Sequence, residues 1–153
     1  RVVVPIGSFQ QQYGVTLSDE GLAGARTDAE SHVTIEVAFN QPTYAFTVSS
    51  SVEPALARQV PVPGAAAVVT VPSNVYRASG IELLCEGESQ VYLGSVTPPE
   101  VKRTADDQYQ VTAGATTPSG SGKTLVLRLR GNETLIADVF KKTDWNALLE
   151  LLK

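Results

Sequence analysis

The run Thr117-Pro118-Ser119-Gly120-Ser121-Gly122-Lys123-Thr124 is this chain's nearest approach to a chemical motif. A phosphate-binding loop has the form G-x-x-x-x-G-K-[ST], and Gly122, Lys123 and Thr124 fit its second half. Thr117 stands where the first glycine belongs. A working loop also follows a strand and opens a helix, whose N–H groups then face the phosphates. Here Lys123 is followed by Thr-Leu-Val-Leu-Arg-Leu-Arg. That two-residue alternation predicts a strand with Leu125, Leu127 and Leu129 turned inward. Only about 30 residues follow Lys123, too few for the rest of a nucleotide-binding α/β fold. The Pro-Ser-Gly-Ser-Gly segment therefore reads as a hairpin loop, and nucleotide binding is not expected.

Other reactive side chains are sparse. His32 is the single histidine, on the wetter face of an alternating segment, and no G-x-S-x-G elbow accompanies it. A Ser-His-Asp arrangement is not expected from that. Cys85 is the single cysteine, which excludes an intrachain disulfide and a multi-thiolate metal site. It reads as a small apolar residue of a strand over Ile81 to Glu86. Carboxylates pair at Asp19-Glu20, Asp106-Asp107 and Glu86/Glu88. Glycoside hydrolysis needs two carboxylates facing each other across a cleft. Spacing alone does not place these so, and none fits an EF-hand loop. They read as solvated turns, and no catalytic, cofactor or metal site is expected. Arg128 and Arg130 share one strand face, with Lys123 near its start. They form either a basic strip for a phosphate, an acidic glycan or an acidic partner, or a charged guard on an edge strand. The loop from Gly114 to Lys123 is the first candidate for contact with a ligand.

Composition narrows the class. A chain of 153 residues with 42% hydrophobic residues suits one domain with one core. Charged residues make up 18%, below the usual quarter, which suggests a surface partly covered by another chain. The net charge of −4 disfavours a general nucleic-acid role. The longest apolar stretch, Ala65 to Val69, is strand-sized, far short of the roughly 20 residues of a membrane span. Initiator methionine is normally removed only before small residues. Arg1 is therefore expected to follow cleavage of a longer precursor or an omitted beginning.

The elements that must position these residues are mostly strands. Arg1 to Ile6 is a short β-prone piece, Gly7 to Ser31 shows no sustained apolar face, and residues 1–31 together read as an arm or a long loop. From His32, the residues Val33, Ile35, Val37 and Phe39 alternate with polar or small ones, predicting one buried face. Asn40-Gln41-Pro42-Thr43 reads as a turn into a return strand over Tyr44 to Ser50, with Phe46 and Val48 in the core. Ala66 to Val71 is a further strand, stopped by Pro72. Ile81 to Glu86 and Gln90 to Val96 read as a hairpin around Gly87-Glu88-Ser89. A charged connection over Glu100 to Asp107 leads to a strand at Gln108 to Thr112. The strand after Lys123 is expected to turn at Gly131-Asn132-Glu133 into a last strand over Thr134 to Phe140. Thr143-Asp144 resembles a helix N-cap. Trp145, Leu148, Leu149 and Leu152 then follow at helical spacing. That stripe is expected to cover the chain's own sandwich or to dock on a neighbour.

The fold expected is all-β: an antiparallel β-sandwich of Greek-key or jelly-roll type. It is divided into an arm (1–31), a sandwich (32–140) and a C-terminal helix (141–153). Asp106-Asp107-Gln108-Tyr109-Gln110-Val111 resembles the tyrosine corner of immunoglobulin-type sandwiches. Ala105 and Val111 stand where that motif has an acid and a cysteine. The Ala/Val/Thr/Gly-rich texture resembles virion proteins of tailed bacteriophages, such as head-decoration or tail components. The function expected is structural, in a homo-oligomer or larger particle located in a virion or outside the cell. Trp145, Leu148, Leu149 and Leu152 are its candidate partner-binding residues. The alternative is a glycan- or peptide-binding module of a secreted or cell-surface protein, using Lys123, Arg128 and Arg130.

Overall fold

A computed structural model describes residues 33–57, 62–78, 81–116 and 123–153. The expectations for the arm over 1–31, for His32, for Asp19-Glu20 and for the centre of the Thr117–Gly122 loop lie outside these residues. Ten strands are described: β1 (Val33–Phe39), β2 (Thr43–Ser49), β3 (Ala55–Ala57), β4 (Ala65–Val71), β5 (Asn74–Ala78), β6 (Ile81–Cys85), β7 (Gly87–Gly94), β8 (Glu100–Ala105), β9 (Gln108–Gly114) and β10 (Thr124–Gly131). Two helices follow, α1 (Glu133–Lys142) and α2 (Trp145–Glu150). A five-stranded sheet runs in the order β1-β10-β7-β4-β3, and a three-stranded sheet in the order β2-β9-β8. β5 and β6 form a separate two-stranded ribbon. Every pairing is antiparallel, as the all-β sandwich expectation required.

Side-chain alternation gives the large sheet two apolar faces. Val69, Val71, Tyr92 and Val126 point toward the small sheet, where Tyr44, Phe46, Val48, Tyr109, Val111 and Ala113 meet them. The opposite face carries Val68, Val91, Leu93, Leu125, Leu127 and Leu129, covered by Ile136 of α1 and Trp145 of α2. The leucines of β10 are thus buried as expected, but beneath helices rather than between sheets. The stripe on α2 is seated on its own sheet: Trp145 is buried, and Leu148, Leu149 and Leu152 pack against the same cluster. Gly64 has φ +70°, and an added Cβ would lie 2.6 Å from Leu149 Cδ1, so the chain needs glycine there to admit α2.

Four connections differ from the expectations. β1 and β2 are not a hairpin, because β1 pairs with β10 and β2 with β9. Asn40 takes φ 50°, donates its N–H to the Thr124 carbonyl and accepts from the Thr124 N–H on Oδ1, while Pro42 offers no donor. The turn therefore arches from one sheet to the other. β9 and β10 also lie in different sheets, so the segment between them is not a hairpin loop. Gly87, Glu88 and Ser89 form no turn but begin β7, while β6 pairs with β5. The supposed charged connection contains β8, an edge strand that reaches β9 through Asp106-Asp107, with Asp107 at φ 54°.

The supposed last strand, Thr134 to Phe140, is helical. Asn132 caps it, its Oδ1 accepting from the N–H groups of Thr134 (2.9 Å) and Leu135 (3.3 Å). Glu133 lies in the first turn, and Lys141 and Lys142 in the last, each favourable to the helix dipole. Thr143 closes it by donating to the Val139 carbonyl, and Asp144 caps α2 by accepting from the Ala147 N–H. The two helices are clasped by the Trp145 Nε1 donating to the Phe140 carbonyl at 2.9 Å, with their rings 5.4 Å apart.

Because Trp145 fills the space between helix and sheet, Trp145→Ala is expected to lower stability by about 3–5 kcal/mol. Urea unfolding followed by circular dichroism checks this. An unchanged midpoint would mean that α2 does not rest on the sheet.

Candidate functional site

Arg128 is the organising side chain of the sandwich interior. It lies on β10, a central strand, so it is not the edge guard considered from the sequence. Its side chain is 14% exposed, and Glu88 on the neighbouring β7 is 7% exposed. The guanidinium donates from Nε to Glu88 Oε1 at 2.6 Å and from Nη2 to Oε2 at 3.0 Å. This is a bidentate, charge-assisted pair. Nη2 also donates to the Thr47 carbonyl of β2 at 3.0 Å, which crosses to the other sheet. Nη1 approaches Glu36 of β1 at 3.6 Å, and the guanidinium carbon lies 5.1 Å from the Phe46 ring centre. The chain of bonds continues inward. Gln90 donates to Glu88 Oε1 at 2.6 Å, and the Tyr92 hydroxyl donates to Gln90 Oε1 at 2.6 Å.

The electrostatics follow from these contacts. Burial works against the Arg128 charge, but the hydrogen bond to Glu88 and the charges of Glu88 and Glu36 overcome it, so its pKa is raised. Tyr92 is pushed up by burial and by the Glu88 charge, and stays a neutral donor. Glu86, just before β7, is pushed above its ordinary 4.5 by burial, with Arg130 pulling the other way. Arg130 itself has a buried Nε without a hydrogen-bond partner.

The three members of the suggested basic strip are dispersed. Arg128 is enclosed by carboxylates, Arg130 stands beyond it along the strand, and Lys123 donates to the Leu151 carbonyl at 3.2 Å. Asp106 is paired with Arg103 at 3.2 Å on the surface. Cys85 ends β6, and its side chain lies outside what the structure describes. Among the described residues no group of three histidine, cysteine or acidic side chains could hold a metal ion. No described helix is long and apolar enough to cross a membrane.

Two surface features remain. The first is on β1, whose odd-numbered side chains share the face that the helices cover over β10 and β7. The helices stop short of the edge. Ile35, Val37 and Phe39 are left 51%, 61% and 45% exposed, the reverse of the buried face their alternation predicted. The second is a groove of about 690 Å³ on the far side of α1. Its walls include Val68, Val71, Pro72, Ile136, Ala137 and Phe140, with Glu88, Glu133 and Lys141 as charged members. Neither feature was identified from the sequence. The signal for the first was present in the alternation itself, which marks an apolar face without saying what covers it.

No protein family matches this chain, and no curated protein or solved structure shows significant similarity to it.

Removing Arg128 alone leaves a buried carboxylate without its counter-charge. Arg128→Met is therefore expected to cost about 3–5 kcal/mol, and adding Glu88→Leu to recover most of it. A double-mutant cycle in urea measures this, and additive losses would refute the coupling. Glu86 gives a separate pH signature. Its raised pKa means that the folded state holds its proton more tightly, so stability falls as pH rises from 4.5 through the folded value. Glu86→Gln should flatten that fall. Identical pH–stability profiles would exclude the effect.

Proposed function

We propose that this chain is a non-enzymatic structural protein, one subunit of a larger protein assembly. A bacteriophage virion component of the head-decoration, capsid-associated or tail kind is the form that best suits its texture. The supporting observation is the apolar strip of Ile35, Val37 and Phe39 on an edge strand of a sheet whose middle strands are covered on both faces. Three large apolar side chains in a row on one strand form a contiguous patch, unlike the single exposed apolar residues common on any surface. The remaining chemistry of the described interior is structural: its charged side chains neutralise one another and fix strands. The helix stripe first assigned to partner binding rests on the chain's own sheet, so the strip on β1 replaces it as the contact surface.

A second reading, a binding module, is favoured by the groove beside α1. Its apolar walls with two acidic members and one basic member suit a peptide carrying an apolar side chain better than a glycan, since the wall holds one aromatic residue, Phe140. Phe140→Ala would then weaken peptide binding and leave the chain monomeric.

The assembly reading is tested by sedimentation velocity of the full chain across a concentration series. The expected result is a species heavier than the 16.2 kDa chain that grows with concentration. A single 16.2 kDa species throughout would count against self-assembly and favour the module.

A further inference from the structure

The strip on β1 coincides with an open sheet edge. β1 is the end strand of its sheet, and among the described residues it pairs with β10 alone. The direction of its backbone groups can be read from one bond. Asn40 N–H donates to the Thr124 carbonyl at 2.9 Å, just past the Phe39↔Leu125 pair. In an antiparallel ladder this makes Phe39↔Leu125 a pair without mutual hydrogen bonds, and the same holds for Val37↔Leu127 and Ile35↔Leu129. The N–H and C=O groups of Ile35, Val37 and Phe39 therefore point away from β10, at the free edge. The residues with exposed apolar side chains are the ones whose backbone is ready to accept another strand.

Natural edge strands are usually protected by charge, proline or a bulge. β1 has neither a proline nor a register shift, and Glu36 is its only charged residue. That charge is drawn to Arg128 at 3.6 Å, on the opposite face from the strip. By contrast β8, one edge of the small sheet, carries Glu100, Lys102 and Arg103 and a register shift, and β2, its other edge, exposes only the small or polar Thr43, Ala45, Thr47 and Ser49. The far edge of the large sheet, β3, is only three residues long. Of the four edges of these two sheets, β1 alone is long, regular and lined by exposed large apolar side chains.

Resting on the assembly reading, we infer that β1 pairs antiparallel with β1 of a second copy of this chain, on a two-fold axis through Val37. Register selects this axis. Pairing centred on Glu36 would set two carboxylates directly opposite each other, which is unfavourable. Pairing centred on Ile35 would leave Phe39 beyond the described strand of the partner. Centring on Val37 sets Val37 against its own copy, Ile35 against the partner's Phe39, and Glu36 against the partner's Ala38. All three exposed apolar residues then meet in one cluster, with aromatic–aliphatic pairs across the seam. The two sheets of five become one sheet of ten. A self-complementary patch of this kind closes after two copies. A five-residue seam is well below the roughly 800 Å² per side of a stable interface, so the dimer is a weak one that forms with rising concentration.

The test combines light scattering with directed cross-linking of the full chain in a Cys85→Ala background. The mass is expected to rise toward twice 16.2 kDa, and Val37→Lys, which would oppose two ammonium groups, should return it to 16.2 kDa with unchanged circular dichroism. Mixing Glu36→Cys with Ala38→Cys should give a disulfide between the two variants under mild oxidation, because pairs of that class lie about 4.5 Å apart at Cα. Glu36→Cys alone should not cross-link. A 16.2 kDa species at every concentration overturns both this pairing and self-assembly. Association that persists in Val37→Lys, or self-linking of Glu36→Cys, overturns this pairing while leaving the assembly reading intact.

Discussion

The pairing of Arg128 with Glu88 is the constraint on which the sandwich turns. Two charges stand where an all-apolar interior would be simplest, and desolvating them is costly. The geometry offsets that cost by giving nearly every polar atom a partner, through Gln90, Tyr92 and the Thr47 carbonyl. Its effect is on specificity as much as on stability. A slip of one residue between β7 and β10 would turn Arg128 and Glu88 to opposite faces and leave both unpaired. One guanidinium thereby fixes the register of two strands of one sheet, reaches a third strand of the other, and is approached by Glu36 on a fourth.

The covering of the large sheet is unequal for a geometric reason. Its inner face meets a sheet of three strands, and its outer face meets two short helices whose buried side chains lie over β7 and β10. Six- and ten-residue helices span about 9 and 15 Å, while five strands span roughly 19 Å from first to last. The helices cover the middle strands and leave Ile35, Val37 and Phe39 of β1 bare. Their placement leaves a groove toward β4 on one side and the bare side chains of β1 on the other.

Much of the architecture was legible where the signal is local. Period-two alternation marked β1, β2 and β10, Pro72 marked the end of β4, and the Thr143-Asp144 cap with its following stripe marked α2. Partner choice was not legible, because Asn40-Gln41-Pro42 is as good a hairpin turn by composition as it is an arch. Helix α1 escaped because Leu135, Ala137 and Val139 alternate like a strand while Leu135, Ile136, Val139 and Phe140 also form a helical face. The Asn132 cap decides between them, and it resembles a turn residue. Glu88 and Ser89 read as a turn because polar residues seldom line a core, and only Arg128, distant in sequence, makes Glu88 fit. The edge position of β1 depends on the whole strand order, which no window of sequence contains.

The pairing of β1 with β10 has a consequence for the way the chain is made. β1 is the first described strand to leave the ribosome, and its only described partner begins at Thr124. During most of synthesis, Ile35, Val37 and Phe39 lack the one described strand that pairs with theirs. Nascent chains fold by units as they emerge, and unpaired apolar strands are where they go astray. Here the largest sheet cannot close until β10, the last of its strands in sequence, is complete. β1 therefore waits for β10 through most of translation, and that interval is when a molecular chaperone would find its most obvious target.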